Sequence, residues 1–254
     1  MVERQPGAEP RIHNLRESCT SCSLNDLCLP VALDAAGIET LDGIVQRGHP
    51  LVRGQIVYHP GKPFHSVYAV RAGALKSVTV TEDGEEQITA FHLPGELVGL
   101  DAIGFDAHPS TAAALETTRV CEIPFAELEG LSEHVHGLRR HLVRRMSQAI
   151  AAEQEMLHLL ARRNAEQRLA AFLVHLSDRH VQRGLAATPV RLPMSRHELG
   201  NYLGLVPETV SRLFRRFMDH GWMSVQGQSI GLDNPGALRL LTRSSSQVVQ
   251  EHRT

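Results

Sequence analysis

The chain has 254 residues, 42% of them hydrophobic and 21% charged; it is longer than one average domain and far from the composition of disorder, which excludes a disulfide-stapled miniprotein. Its net charge of −2 hides an asymmetry: residues 1–160 carry 13 Lys and Arg against 21 Asp and Glu, a balance of −8, whereas residues 161–254 carry 13 against 7, a balance of +6. No stretch approaches the roughly 20 uncharged apolar residues that cross a bilayer, and the start of the chain lacks an apolar secretion core, so no membrane partner and a cytoplasmic location are expected.

The first informative segment is a polar loop holding Cys19, Cys22 and Cys28 in a C-x2-C-x5-C spacing among Ser18, Thr20, Ser21, Ser23, Asn25 and Asp26. In a reducing compartment such clustered thiols point to metal or redox chemistry rather than crosslinks, and a polar loop offers them no core to fill. The fourth and last cysteine, Cys121, lies in an apolar strand-like run, Arg119 to Phe125, where a buried small hydrophobe is the bland alternative. Structural zinc usually joins two close-spaced pairs, and the second pair is missing; three clustered thiolates with one distant partner fit a cubane iron-sulfur cluster. Leu24, Leu27 and Leu29 interleave with the ligands as an apolar shell, or simply pack the loop.

Short β-branched or alternating runs follow: Gln55 to Tyr58, Ser66 to Val70, Leu75 to Thr81, Gln87 to His92 and Thr117 to Ile123. Glycines punctuate them, Asp83-Gly84 giving the clearest hairpin, and a β-barrel or roll is expected. Phe125 to Leu160 reads as helical, most of it as one long helix, Val135 to Leu160. Two apolar stripes run along that helix. Leu138, Leu142, Ala149, Met156 and Leu159 face the β domain; Val143, Met146, Ile150, Leu157 and Leu160 follow coiled-coil spacing, with Arg139 and Glu153 in the same seam. Two stripes need two partners, so a parallel homodimer is expected. Paired copies of Glu153 make it marginal, and a marginal dimer is one that cofactor binding elsewhere can switch.

In the basic third, Asn164 to Arg179 reads as an amphipathic helix and Val190 to Pro193 as a short strand. Ser195 with Glu198 forms a capping box, Gly204 supplies a tight exit and Pro207 opens a second helix, a helix-turn-helix spacing. That second helix buries Val210, Leu213, Phe214 and Phe217 and leaves Glu208, Ser211, Arg212 and Arg215 outward; an ordinary hairpin with a solvated face is the alternative, weakened by the basic balance. Trp222 to Val225 and Ser229 to Leu232 alternate around Gly227-Gln228 as a wing. Arg212 suits guanine and Glu208 suits cytosine in a major groove, while Arg215 and Arg216 suit phosphates.

These residues together resemble the FNR type, the fumarate and nitrate reduction branch of the cyclic-AMP-receptor superfamily. The resemblance runs from the Cys19 triplet through GELVGLDAIG (Gly95 to Gly104), LETTRVCEIPF (Leu115 to Phe125) and NAEQRLAAFL (Asn164 to Leu173) to ETVSR (Glu208 to Arg212). It implies an α+β chain: an N-terminal β-roll of the cyclic-nucleotide-binding type (a double-stranded β-helix), a long dimerisation helix and a C-terminal winged helix-turn-helix. The corresponding segments are 31–130, 131–160 and 161–243, preceded by a cysteine-rich cluster loop, 1–30, and followed by a disordered tail, 244–254. It further implies that Cys19, Cys22, Cys28 and Cys121 hold one [4Fe-4S] cluster per subunit, whose loss to oxygen by way of [2Fe-2S] separates the dimer. Leu27, before the ligand Cys28, is the candidate that shields the cluster. Double-stranded DNA of the form TTGAT-N4-ATCAA is the implied target, and RNA polymerase the partner of a loop at Gly84 and Glu85. His108-Pro109-Ser110 stands where the nucleotide-binding relatives carry an Arg-Ser phosphate clamp, so no cyclic nucleotide is expected. Val206 stands where relatives commonly cap with Ser or Thr. A zinc-stabilised or haem-dependent regulator of the same fold is the competing reading; an enzyme is not expected, since no radical motif, nucleophile elbow or P-loop occurs.

Overall fold

The computed structural model describes residues 18–242; the tail and the first twelve or so residues, expected to be disordered, lie outside them. Cysteine-bearing turns lead through a 3-10 turn, Leu29–Ala32, into α1, Ala35–Ile44. Asp34 starts α1 by accepting from the Gly37 amide at 2.8 Å.

Eight strands then close a roll: β1 Gln46–Arg47, β2 Ile56–Tyr58, β3 Ser66–Ala72, β4 Leu75–Val80, β5 Glu86–His92, β6 Leu97–Val98, β7 Thr111–Ala114 and β8 Arg119–Pro124. They form two four-stranded antiparallel sheets, ordered β1-β8-β3-β6 and β2-β7-β4-β5. Side-chain alternation in β3 shows how the layers divide: Tyr68 and Val70 point into the roll with Tyr58, Leu75 and Val98, while Val67 and Ala69 point outward to a core shared with the helices. β1, β6 and β7 are additions to the expected strands. Three alanines in β7 give no β-branched signal, and it is a strand because β2 and β4 pair with it on both edges.

α2, Phe125–His134, and α3, His136–Arg162, are separated by Val135, whose extended φ of −115° breaks the helix. The first part of α3 packs as expected, with Leu138 and Leu142 buried against the roll-side core. Its second part does not: Leu159 is buried with the C-terminal helices, Met156 and Leu160 pack beside it, and Ala149 is exposed. The inner stripe therefore changes partner midway, which even helical spacing does not reveal.

The remainder is α4 Ala165–Gln182, β9 Val190–Arg191, α5 Arg196–Leu203, α6 Pro207–Asp219, the hairpin β10 Ser224–Gln226 and β11 Ser229–Gly231, and α7 Pro235–Thr242. The hairpin joins β9 in a three-stranded sheet, order β10-β11-β9. Reciprocal capping boxes open α4 (Asn164 with Gln167) and α5 (Ser195 with Glu198). Gly204 ends α5 at φ +63°, a left-handed conformation that turns the chain sharply into α6. Val206, at the head of α6, supplies no side-chain cap, and Pro207 follows at the first turn. Ala74, Val78, Ile88, Phe91 and Leu93 of the roll share one core with α4, α5 and α6. Among the described residues no helix is long and apolar enough to cross a membrane.

Candidate functional site

All four cysteines line a single cavity of about 30 Å³ between the N-terminal turns and the roll. Cys19, Cys22 and Cys28 come from the turns; Cys121 comes from β8, where its register partner on β1 is Arg47. Leu24, Leu29, Leu41, Val45 and Ile123 supply apolar wall, and Arg47 and Arg71 the nearby positive charge. Leu27 does not line this cavity. Its side chain lies over Gly95, and its carbonyl accepts from Arg145 Nη2 of α3.

A second group, which the cysteine spacing alone did not signal, supports the site. Asp42 Oδ1 accepts from the Cys19 amide at 2.7 Å and from Arg47, and Arg47 Nη2 also donates to Cys19 Sγ at 3.4 Å. Asp42 belongs to α1 and Arg47 to β1, so the packing of the turns on α1 and the β1–β8 register bring them to the thiols. Burial pushes the Cys19 thiol up to about 12, reinforced by its hydrogen bond to Asp42, and the Cys28 thiol up to about 11. Burial also raises Cys121, against the opposing pull of Arg47 and Arg71. Three of the sulfurs are thus held toward the protonated thiol, and a metal bound there would have to displace those protons. Among the described residues no three His, Cys, Asp or Glu side chains converge as ligands of one ion.

The expected reading face is exposed on α6. Val210, Leu213, Phe214 and Phe217 are buried, while Glu208, Ser211, Arg212, Arg215 and Arg216 face solvent. Ser211 Oγ donates to the Pro207 carbonyl at 2.9 Å, and Arg216 lies 3.5 Å from Glu166. Arg196 is held back from this face: its guanidinium stacks 3.5 Å from the Phe214 ring centre. Arg168 ties the unit together, donating to the carbonyls of Leu160, Arg163 and Leu203.

Along α3, Val143 and Ile150 are each 56% exposed and Leu157 is 68% exposed, seven residues apart, with Arg139 and Glu153 on the same open face. Met146 is half-buried, and Leu160, expected in this seam, is partly covered by its own chain. Gly84 and Glu85 form the exposed tip of the β4–β5 hairpin, where the Glu85 amide donates to Thr81 Oγ1 at 3.2 Å. His108 is turned into the roll, stacked on Tyr58 with ring centres 3.7 Å apart.

Two family models match the chain: a cyclic nucleotide-binding domain over residues 49–134 and a Crp-like helix-turn-helix domain over residues 167–241. The chain is 52% identical over 212 residues to the transcriptional activator protein anr of Pseudomonas aeruginosa, covering 84% of this chain and 87% of that one. It is 47% identical over 230 residues to the fumarate and nitrate reduction regulatory protein of Escherichia coli K12, covering 91% and 92%. Among solved structures, FixK2 from Bradyrhizobium japonicum superposes with a TM-score of 0.72 at 30% identity, covering 80% of this chain and 99% of that one.

Proposed function

Because the chain belongs to the CRP/FNR family of DNA-binding transcriptional regulators, we propose that it is a regulator of anaerobic metabolism whose DNA binding is governed by an oxygen-labile [4Fe-4S] cluster. One observation carries this reading: the clustered Cys19, Cys22 and Cys28 and the distant Cys121 share one apolar-walled cavity in a chain that also carries an exposed recognition helix. The donor set fits the group. Four sulfurs are soft ligands, Arg47 and Arg71 offset the charge of an anionic cluster, and the apolar wall limits access of water. Three close-spaced cysteines with one distant partner suit a cluster, which gives each thiolate its own iron, better than structural zinc, which usually joins two close-spaced pairs. A haem-dependent regulator has no comparable support.

When bound, the cluster supplies a group that oxygen dismantles, which four thiols alone do not. The chain's own residues carry the consequence to α3. Cys28 runs directly into the 3-10 turn, Leu29 packs in one core with Leu138 and Leu142, and the Leu27 carbonyl is held by Arg145. Gly137 lets α3 approach that turn closely, since a Cβ there would lie 2.7 Å from the Ala32 carbonyl oxygen. An ordered cysteine loop therefore fixes the placement of α3, whose open face of Arg139, Val143, Met146, Ile150, Glu153 and Leu157 meets its copy in a homodimer. The dimer places two α6 helices on an inverted repeat resembling TTGAT-N4-ATCAA. Arg212 and Glu208 read base edges with Ser211 beside them, and Arg215 and Arg216 hold phosphates. The Gly84–Glu85 tip is the surface for RNA polymerase. Cyclic nucleotide plays no part, because His108 occupies the roll interior in place of a cationic clamp. The reading assigns residues 1–30 to the cluster, 31–130 to the sensing roll, 131–160 to dimerisation and 161–243 to DNA, and places the protein in the cytoplasm.

The test is anaerobic purification with iron, acid-labile sulfide and zinc assays, sedimentation and duplex binding before and after air. About four iron and four sulfide per chain, with air causing bleaching, loss of dimer and loss of inverted-repeat binding, is the expected result. Zinc without sulfide, or DNA binding indifferent to air, overturns it.

A further inference from the structure

The helix-turn-helix unit is fastened to the roll by side chains that belong neither to the reading face nor to the cysteine cavity. β5 is the edge strand of its sheet, with backbone groups left open on its outer side. Asn201 of α5 fills that edge as a strand would: its Oδ1 accepts from the Ile88 amide at 2.6 Å and its Nδ2 donates to the Glu86 carbonyl at 2.6 Å. Gln87 Nε2 returns a hydrogen bond to the Asn201 carbonyl at 2.8 Å. One turn earlier Glu198, already the capping residue of α5, accepts from Arg53 at 3.0 Å and Lys76 at 3.1 Å. Two flanking ties, Arg179 and Arg183 to Glu96 and Arg191 to Glu116, join α4 and β9 to the same roll.

We propose that Asn201 and Glu198, seated on the β5 edge and on Arg53 and Lys76, are positioning residues for DNA recognition: they set the angle at which α6 is presented. The inference rests on the DNA-binding reading above. Its warrant is the arrangement. The chain crosses from α3 to α4 at Arg163 and Asn164, and Arg168 fastens the end of α3 to this unit, so the attitude of the unit to the roll is set by the side chains that touch the roll. A dimer reading an inverted repeat needs its two recognition helices at a fixed separation of about 34 Å, one turn of the duplex. The clamp sets that attitude while leaving Glu208, Ser211, Arg212 and Arg215 open to solvent. Its two residues touch the roll, so loosening them alters the angle between half-sites and not the chemistry of one half-site.

The experiment compares the anaerobic full chain with Asn201→Ala and Glu198→Gln, the latter keeping the capping hydrogen bonds and losing the charge. Lys76→Met, made on the roll and away from the helix-turn-helix, is the control for folding of that unit. Fluorescence anisotropy is read on a TTGAT-N4-ATCAA duplex and on a duplex with one intact half-site. Expected is a loss of about tenfold on the inverted repeat for each variant, with half-site affinity within about twofold of the parent. Equal losses on both duplexes place the effect in the reading helix and overturn the clamp; unchanged binding to the inverted repeat by all three variants overturns it too. A parent chain that does not prefer the inverted repeat to a scrambled duplex overturns the DNA-binding reading itself.

Discussion

At the scale of single residues, chemistry and partnership part company. The cysteines announce themselves by type and spacing, and they do share a cavity; Asp42 and Arg47 beside them are ordinary charges in sequence, Arg47 reaching Cys121 through the pairing of β1 with β8 and Asp42 reaching Cys19 from α1. Glu96 is a similar case. It lies inside a family-like motif, yet nothing local shows that Arg179 and Arg183, more than eighty positions away, close on it. Burial raises its carboxyl, and the two guanidinium groups more than offset that, holding it below the usual carboxylate range. A carboxyl lowered in the folded state adds stability above its unfolded value that is lost as pH falls through the folded one. Stability should therefore be lost as pH falls below the ordinary carboxylate range, and the fall should be shallower in Glu96→Gln. Urea unfolding followed by Trp222 fluorescence at several pH values checks this; parallel pH profiles for the two proteins would count against it. Asp42 and Glu198 are lowered in the same direction and leave a residual slope in the variant.

At the scale of elements, what was legible was whatever a short window contains. The Ser195–Glu198 capping box, the Gly204 exit and the Pro207 start fall where the residues alone place them, because caps are local hydrogen bonds. β7 and the two-residue strands β1 and β6 are not legible, since pairing partners rather than propensity make them strands. Likewise the long helix was read correctly to within two residues at its end, but not where its inner stripe passes from one core to another. Two predictions belong here. Val206→Ser restores the missing cap of α6 and should stabilise the fold by about 1 kcal/mol, read as a higher urea midpoint. Leu157→Glu changes a side chain that is 68% exposed in the single chain, so it should leave the chain's own unfolding within about 0.5 kcal/mol of the parent while abolishing the dimer in sedimentation.

At the scale of the molecule, the charge asymmetry foretold two parts with different partners, and the fold class followed from the order of strands and helices. Their mutual docking did not, because Asn201 and Glu198 look like any polar residues on a short helix until β5 and Lys76 are set against them. Assembly itself offers a prediction. Glu153 is exposed on the seam between Ile150 and Leu157, where two copies of its carboxylate would repel. Glu153→Ala should raise the dimer fraction of cluster-free protein, measured by sedimentation in air; an unchanged monomer fraction counts against the seam. The corner at Arg168 then acquires a mechanical meaning. By binding the carbonyls of Leu160, Arg163 and Leu203, it welds the end of α3 to the turn that carries α6. From Arg145, where the cysteine loop grips α3, to Arg162 at its end are 17 residues, a lever of about 26 Å. Tilting such a lever by about 8° carries its tip about 3.5 Å, close to one base-pair step along DNA. Under the proposed cluster reading, a few degrees gained or lost at the sulfurs would be enough to put a reading head in or out of register.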